Sequence, residues 1–471
     1  MNGDEYFDSE EFRDILSEYE QALRTGMPLF LDTDELCDIA DYYQMNDRYE
    51  EAEQAVDYAL EKDPGATLPL AFKVRDAISR EEIEEAAGYL SRIENTDDIE
   101  YLYASAELLI AQDRIDEADR MLRDELQQTP PDEYQDYVVD VANIYSDYGV
   151  YEKAMEWMLR AKRENNDDFK ELMARTLFGI GKYADSERIF NELIDRHPFS
   201  KTYWNALANV QFMKEDYGAS VSSSEYAIAI DPKDPESLLA KANGLFRLEN
   251  YEEALEYYRR YSSIIVNDEF GLLHQGTCLV SLGRYEEALE RLKEAYNMAP
   301  DDSPYLVDIC QELAFTYCET GDTKMAMRYL DETDSLDCDH EDILVIKGHV
   351  MLVAGNLKKA EHYFKQAIKE SEDAQKTLLR ILVSLYDNKY VTLCYNLFKR
   401  YFEAFGNDGT EGYAYLALCC WDMKYYDEFM VNLKLAVERN KKEAAMALGN
   451  LFPEGMEPEE YYEYMKGKLK A

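Results

Sequence analysis

A chain of 471 residues with 98 Asp plus Glu against 50 Lys plus Arg carries a formal net charge of −48. Such a field repels nucleic-acid backbone and anionic lipid and attracts basic proteins or peptide segments, so neither nucleic-acid nor membrane binding is expected. That length ordinarily means two or three globular domains, yet no Gly-, Ser- or Pro-rich linker divides it, and no run approaches the ~18 apolar residues of a membrane helix.

In chain order, the first predicted element is a helix over Glu11 to Leu23, with Phe12, Ile15, Tyr19 and Leu23 on one face and acids opposite, as a capping helix requires. Helical repeats follow. Four early ones share a second-helix signature, over Asp47 to Pro64, Asp113 to Pro130, Gly149 to Lys162 and Gly181 to Pro198. Three copies then run without insertion from Lys201 to Pro300. Trp204, Leu207, Ala208, Tyr217, Ser220, Ala227 and Pro232 mark the first, and Leu238, Ala242, Tyr251, Ala254, Tyr258 and Tyr261 the second. Leu272, Gly276, Tyr285, Ala288, Leu292, Ala295 and Pro300 mark the third. The steps from Tyr217 to Tyr251 and from Tyr251 to Tyr285 are equal. Each is about 34 residues, enough for a helix, a tight turn, a second helix and a short loop.

Ala288, Leu292 and Ala295 share one helix face. Small residues at Ala208, Ala242 and Gly276 let the paired backbones approach closely. The segments LGRYEEAL and LENYEEAL place a Gly or an Asn where a left-handed residue ends the first helix, and Pro stops the second. Gly321 to Glu332 and Gly355 to Ile368 continue the signature. About twelve repeats start near residues 33, 67, 99, 135, 167, 201, 235, 269, 307, 341, 374 and 410. The repeat at 67–98 is degenerate, as are the last two, where Leu393 or Cys394, and then Phe429, take the small position. Pro458 to Leu469 forms a C-terminal cap, with Glu459, Glu460 and Glu463 early and Lys466, Lys468 and Lys470 late, matching the helix dipole.

These residues resemble the tetratricopeptide repeat family, with its aromatic, Leu, small, Tyr, Ala, Phe and Pro positions. The resemblance covers most of the chain. It implies an all-α fold, a right-handed solenoid of about twelve stacked antiparallel helix pairs of about 34 residues. The expected organisation is a capping helix over 1–32, the repeat solenoid over 33–440 and capping helices over 441–471. Most of the 39 tyrosines are then packing residues between helices.

The acid excess is uneven. Residues 1–60 hold 18 acids against 3 bases, and residues 1–170 hold 46 against 16, so the N-terminal third is the acidic pole. The start MNGDEYFDSEEF lacks the basic and apolar regions of a secretory signal. Eight cysteines are scattered without a disulfide-scaffold spacing, and a cytoplasmic location is expected.

The chain has no phosphate-loop, dinucleotide, nucleophile-elbow or HExxH motif, so no catalytic residue and no cofactor is expected. Cys338, Asp339 and His340, with His349 or Cys310, form the best metal candidate, but without a CxxC they read as a solvated loop. Cys419 and Cys420 read as core filling. The pairs Glu252 with Glu253 and Glu286 with Glu287 belong to a solvent face.

The resemblance also implies that the first helix of each pair lines an inner face that binds peptides. The residue after the small position there reads Asn143, Arg175, Asn209 and Asn243 in four consecutive repeats. Asn205 lies one turn before Asn209. An Asn amide donates and accepts, so it can hold a peptide backbone whatever its sequence. A carboxylate clamp also needs cations, and only Arg175 is well placed. Phe178, Phe212 and Phe246 follow as a second row, either apolar lining or packing between first helices. The expected function is a non-enzymatic interaction scaffold or adaptor whose groove, around residues 135–250, binds a peptide or helix of an unidentified protein. Two alternatives are an acidic sequestering protein that binds a basic partner through its N-terminal third, and a metal or redox protein using the Cys338 region.

Overall fold

Caps, small residues and prolines are realised as 27 α-helices, with no strand among the described residues. The computed structural model describes residues 6–7, 9–26, 29–46, 48–161, 166–336, 338–406, 409–453 and 455–469. Asp47, Lys162 and Lys470, named above, lie outside them. The chain divides into two compact units, Met1–Asp216 and Tyr217–Ala471.

The N-terminal unit contains α1 (Glu10–Thr25), α2 (Thr33–Met45), α3 (Tyr49–Lys62), α4 (Thr67–Ser79), α5 (Ile83–Leu90) and α6 (Ile99–Ala111). It continues with α7 (Ile115–Leu126), α8 (Tyr134–Asp147), α9 (Tyr151–Met158), α10 (Asp167–Gly179), α11 (Tyr183–Arg196) and α12 (Lys201–Met213). The C-terminal unit contains α13 (Tyr217–Ile230), α14 (Pro235–Arg247), α15 (Tyr251–Ser262), α16 (Glu269–Ser281), α17 (Tyr285–Met298), α18 (Leu306–Glu319), α19 (Thr323–Glu332) and α20 (His340–Val353). After these come α21 (Leu357–Glu370), α22 (Ala374–Asp387), α23 (Val391–Phe405), α24 (Tyr413–Asp422), α25 (Tyr426–Arg439), α26 (Lys441–Leu448) and α27 (Tyr461–Lys468). Even-numbered helices from α2 to α24 are the first helices of twelve repeats, and odd-numbered ones from α3 to α25 are the second. Within each unit, successive helices pack side by side as a solenoid does.

Seven of the twelve first helices start on side-chain caps. Asp32 makes a capping box with Glu35, Asn166 accepts from Phe169 N–H, Ser200 from Tyr203 N–H, and Asp234 precedes Pro235 at the first helical position. Several second helices start with acids, such as Glu252 and Glu253 on α15 or Glu286 and Glu287 on α17, which complement the helix dipole from solvent-exposed positions. Tyr217, Tyr251 and Tyr285 each open a second helix.

The small positions behave as the spacing requires. Ala208, Ala242 and Ala288 are fully buried, and a Cβ on Gly276 would stand 2.5 Å from the Leu292 side chain. In the degenerate repeat it is Cys394 that packs inside, while Leu393 is exposed, and Phe429 is fully buried.

Two expectations need correction. In LENYEEAL the left-handed residue is Glu249 (φ 62°), one repeat before Gly283, whereas Asn250 has φ −82°. Helix pairing sets that turn, so Glu215, Glu249, Lys389 and Lys424 adopt it without being Gly or Asn. On α1 the buried face is Phe12, Tyr19 and Ala22, and Leu23 is exposed.

Candidate functional site

Successive first helices pack on one another, α4 on α6 and α8 on α10 in the N-terminal unit, α18 on α20 and α20 on α22 in the C-terminal unit. The residue after each small position therefore recurs along one stripe. In the N-terminal unit the stripe reads Asp41, Arg75, Glu107, Asn143, Arg175 and Asn209, each preceded by a fully buried residue such as Val74 or Ala142.

The cations of this stripe have acids of their own chain. Arg75 places Nε 2.9 Å from Glu107 Oε2 and Nη2 2.9 Å from Glu100 Oε2. Arg175 Nη2 donates to Asp147 Oδ1 at 2.6 Å. Burial, with repulsion from Asp38 and against attraction from Arg75, pushes the Asp41 carboxyl up to about 6. Asn143 and Arg175 are exposed, and Asn209 is half-buried. Asn205 is 2% exposed, so it sits in the core and not on the solvated stripe. The same repeat position holds the buried Cys37, Ala71 and Tyr103 in earlier repeats.

In the C-terminal unit, Asn243 Oδ1 accepts the hydroxyl of the fully buried Tyr258 at 2.6 Å, leaving its Nδ2 as a donor. The phenylalanines do not form a free apolar row. Phe246 packs edge-on against Tyr251 at 5.3 Å, and Phe178 lies tilted against Tyr183 at 5.7 Å, each being the tyrosine that opens the partner helix.

A well-formed cavity lies downstream of the residues singled out from sequence. About 760 Å³ in volume, it is bounded in the C-terminal unit by the inner faces of α18, α20, α22 and α24, with α26 closing one side. Phe315, Ile346, Leu379, Val383, Tyr415 and Met446 provide its apolar wall. Glu312, Asp387, Glu443 and His349 converge on it. Burial, reinforced by Asp308, raises the Glu312 carboxyl above its ordinary value. Burial also raises Asp387, against attraction from His349 and Lys389. His349 is lowered by burial, and its Nδ1 lies 2.9 Å from Ser384 Oγ. Phe315, His349 and Val383 stand one repeat apart and continue the rule of the residue after the small position. Following that rule past Gly276 would have located them.

A second cavity, of about 610 Å³ in the N-terminal unit, lies between the start of α6, the end of α7 and α8. Asp97, Asp98, Glu100, Glu125, Glu133 and Asp136 line it, without a Lys or Arg.

Other conspicuous polar residues hold repeats together. Lys73, Lys241 and Lys347 occupy the position just before the small residue and are 4–5% exposed. Two residues before the stripe is about 200° around the helix, so these amines face the preceding second helix. Lys73 meets Glu53 and Asp57 at 2.9 and 2.8 Å, Lys241 meets Glu225 at 2.8 Å, and Lys347 meets Asp331 and Asp334 at 2.9 and 2.7 Å. Of the metal candidates, Cys338 Sγ lies 3.8 Å from His340 Nδ1, whereas Cys310 is buried in the core and His349 turns to the cavity. Asp339, Glu341 and Asp342 do approach one another, but Asp342 pairs with Arg380 and Glu341 accepts from Thr377. Cys419 and Cys420 are fully buried among core side chains.

Comparison with known proteins follows the same lines. A family profile described as tetratricopeptide repeat matches residues 172–235, and one described as anaphase-promoting complex, cyclosome, subunit 3 matches residues 206–295. No curated protein matches the chain. Among solved structures, yeast Tom70 is 13% identical, with 93% of this chain and 96% of that chain covered and a TM-score of 0.44. A tetratricopeptide repeat protein from Parabacteroides merdae is 14% identical, with 53% and 98% covered and a TM-score of 0.44. YrrB, described as a TPR protein with an unusual peptide-binding site, is 18% identical, with 40% and 95% covered and a TM-score of 0.33.

Proposed function

From the premise that this is a chain of tetratricopeptide-type repeats, we propose that it is a non-enzymatic interaction scaffold that holds a peptide or helix of a protein partner along the inner faces of its first helices. Proteins with repeats of this type generally mediate protein–protein interactions. The observation that carries the reading is the cavity of about 760 Å³ on the inner faces of α18 to α24. Its apolar wall and few convergent polar groups are the usual form of a recognition pocket. Asn143, Arg175 and Asn209 extend the reading to the first helices of the N-terminal unit, and Asn243 to α14 of the C-terminal unit, where amides can hold a peptide backbone; Asn205 is buried and is left out of that surface. A cytoplasmic setting fits eight free cysteines.

Capture of partners from a lysate of the source cell tests this, with the intact protein beside Met446→Arg and beside Asn143→Ala/Asn209→Ala. Loss of a partner with Met446→Arg supports the cavity of the C-terminal unit, and loss with the double Asn variant supports the first helices of the N-terminal unit. A full set of partners retained by both variants would remove the inner face as the binding surface.

The acid-lined cavity between α6 and α8 favours a second reading, sequestration of a basic partner by the N-terminal third. Such binding weakens steeply with salt and ignores both variants.

A further inference from the structure

The cavity of the C-terminal unit carries more carboxylate than its own chain neutralises. Glu312, Asp387 and Glu443 line it, and none of the three forms an ion pair with Lys or Arg among the described residues. Glu443 is the sharpest case. It is 9% exposed, its Oε1 accepts the Gly412 N–H at 2.8 Å, the Ala414 N–H also favours its charged form, and its Oε2 is buried without a hydrogen bond of ordinary geometry. A buried carboxylate oxygen without a donor is costly to desolvate and becomes favourable when a cation supplies the missing hydrogen bond.

The rest of the lining does not supply that cation. Arg380 is paired with Asp342, Lys442 is exposed on α26, and His349 is held neutral by burial. The wall around the acids is apolar and partly open, with Phe315 44% and Met446 72% exposed. A Lys or Arg side chain matches both features, because its methylene stem covers apolar surface while its head stays polar. The Phe315 and Tyr415 rings also offer faces that attract a cation.

We infer that this cavity takes a Lys or Arg side chain of a partner peptide, its stem against the Phe315, Val383 and Met446 wall and its charged head among Glu312, Asp387 and Glu443. The occupant is a short amphipathic segment that presents one cation flanked by apolar residues. This rests on reading the inner face as a peptide-binding surface and adds what that surface selects.

The test uses the intact protein, at physiological ionic strength, in fluorescence anisotropy titrations. The probe is a fluorescein-labelled amphipathic peptide of about fourteen residues, built from Leu, Ala and Gln around one central Lys, beside an analogue with norleucine for Lys. Glu443→Gln keeps an oxygen for the Gly412 N–H, and Asp387→Asn provides an independent site. The Lys peptide is expected to bind about tenfold more tightly than its analogue, a difference that Glu443→Gln or Asp387→Asn largely abolishes. Removing one charge from a net −48 cannot weaken diffuse attraction by that factor. Equal affinity for the two peptides, both lost with Met446→Arg, would overturn the cation pocket and leave the groove reading standing. Binding indifferent to all three variants, or no binding of either peptide, would also overturn the inference, while partner capture would still decide the scaffold reading.

Discussion

Gly348→Ala tests the close approach of paired helices beside the cavity. Gly348 holds the small position of α20, between Lys347, which ties the helix to Asp331 and Asp334, and His349 of the cavity lining. A Cβ there would stand 2.2 Å from Cε1 and 2.5 Å from Cδ1 of Phe364 on α21. Carbon contacts are comfortable near about 3.5 Å, so the ring or the helix must move by about 1 Å. Phe364 is 7% exposed and packs in the same core as Ala360 and Ala367, which leaves it little room to yield. Overpacking of this kind costs about 1–3 kcal/mol, opposed by about 1 kcal/mol that Ala gains over Gly in a helix. The variant should therefore lose up to about 2 kcal/mol. Adding Phe364→Leu should recover part of that, a favourable coupling of about 1 kcal/mol in a double-mutant cycle. Native-state hydrogen exchange at the α20 and α21 amides is the appropriate assay, because stacked repeats open locally. Gly88→Ala on α5 is the control. No atom lies within 4 Å of its Cβ, and it should gain about 0.5–1 kcal/mol. Slower exchange in α20 and α21 for Gly348→Ala, or the same response at both glycines, would refute the reasoning.

Four further outcomes follow from particular contacts. His274 lies against Tyr258 and Phe270, and burial lowers its imidazole to about 4. A depressed histidine contributes stability that is present above its unfolded value and lost as pH falls through the folded one, here about 3 kcal/mol between pH of about 6.5 and 4. Acid titration of His274→Gln, followed by circular dichroism, should show a flatter decline over that window. Lys424 holds a left-handed turn at φ 62°, so Lys424→Gly should raise local stability by about 0.5–1 kcal/mol, read by exchange at α24 and α25. Asp119 accepts from Trp157 Nε1 at 3.0 Å and from Arg123 at 2.7 Å; Asp119→Ala orphans the buried indole N–H and should cost about 2 kcal/mol in denaturant unfolding followed by tryptophan fluorescence. Seven cysteines are buried, and burial pushes Cys278, Cys310 and Cys420 up to about 12. A thiol reagent should therefore label Cys338 rapidly and the others only on unfolding.

The repeat architecture was legible because its signals are local. Capping residues, prolines and the regular tyrosine step each act within one or two helical turns, and the expected repeat starts fall close to the observed first helices, the last of them, near 410 against Tyr413, being the furthest off. That the residues after the small positions share one helix face was legible as well, since a position on a helix face follows from its spacing to the small residue.

What each stripe residue touches was decided only by the tertiary structure, because its partners lie on neighbouring repeats. Arg175 is paired by Asp147 of the preceding repeat, and the Tyr258 hydroxyl occupies the Asn243 oxygen. Asn205 is buried on the evidence of packing, since its residue type alone favours the surface. Lys73, Lys241 and Lys347 look like solvated charges in sequence, yet acids of the preceding helix draw them inside. The repeat spacing reaches Phe315, His349 and Val383, but the cavity between α18 and α26 also joins Glu312, Asp387, Glu443 and Met446, which that spacing does not bring together. The cavity exists because the degenerate last repeats and α26 stack so that apolar and acidic side chains face one another, an arrangement set by packing between repeats far apart in the chain.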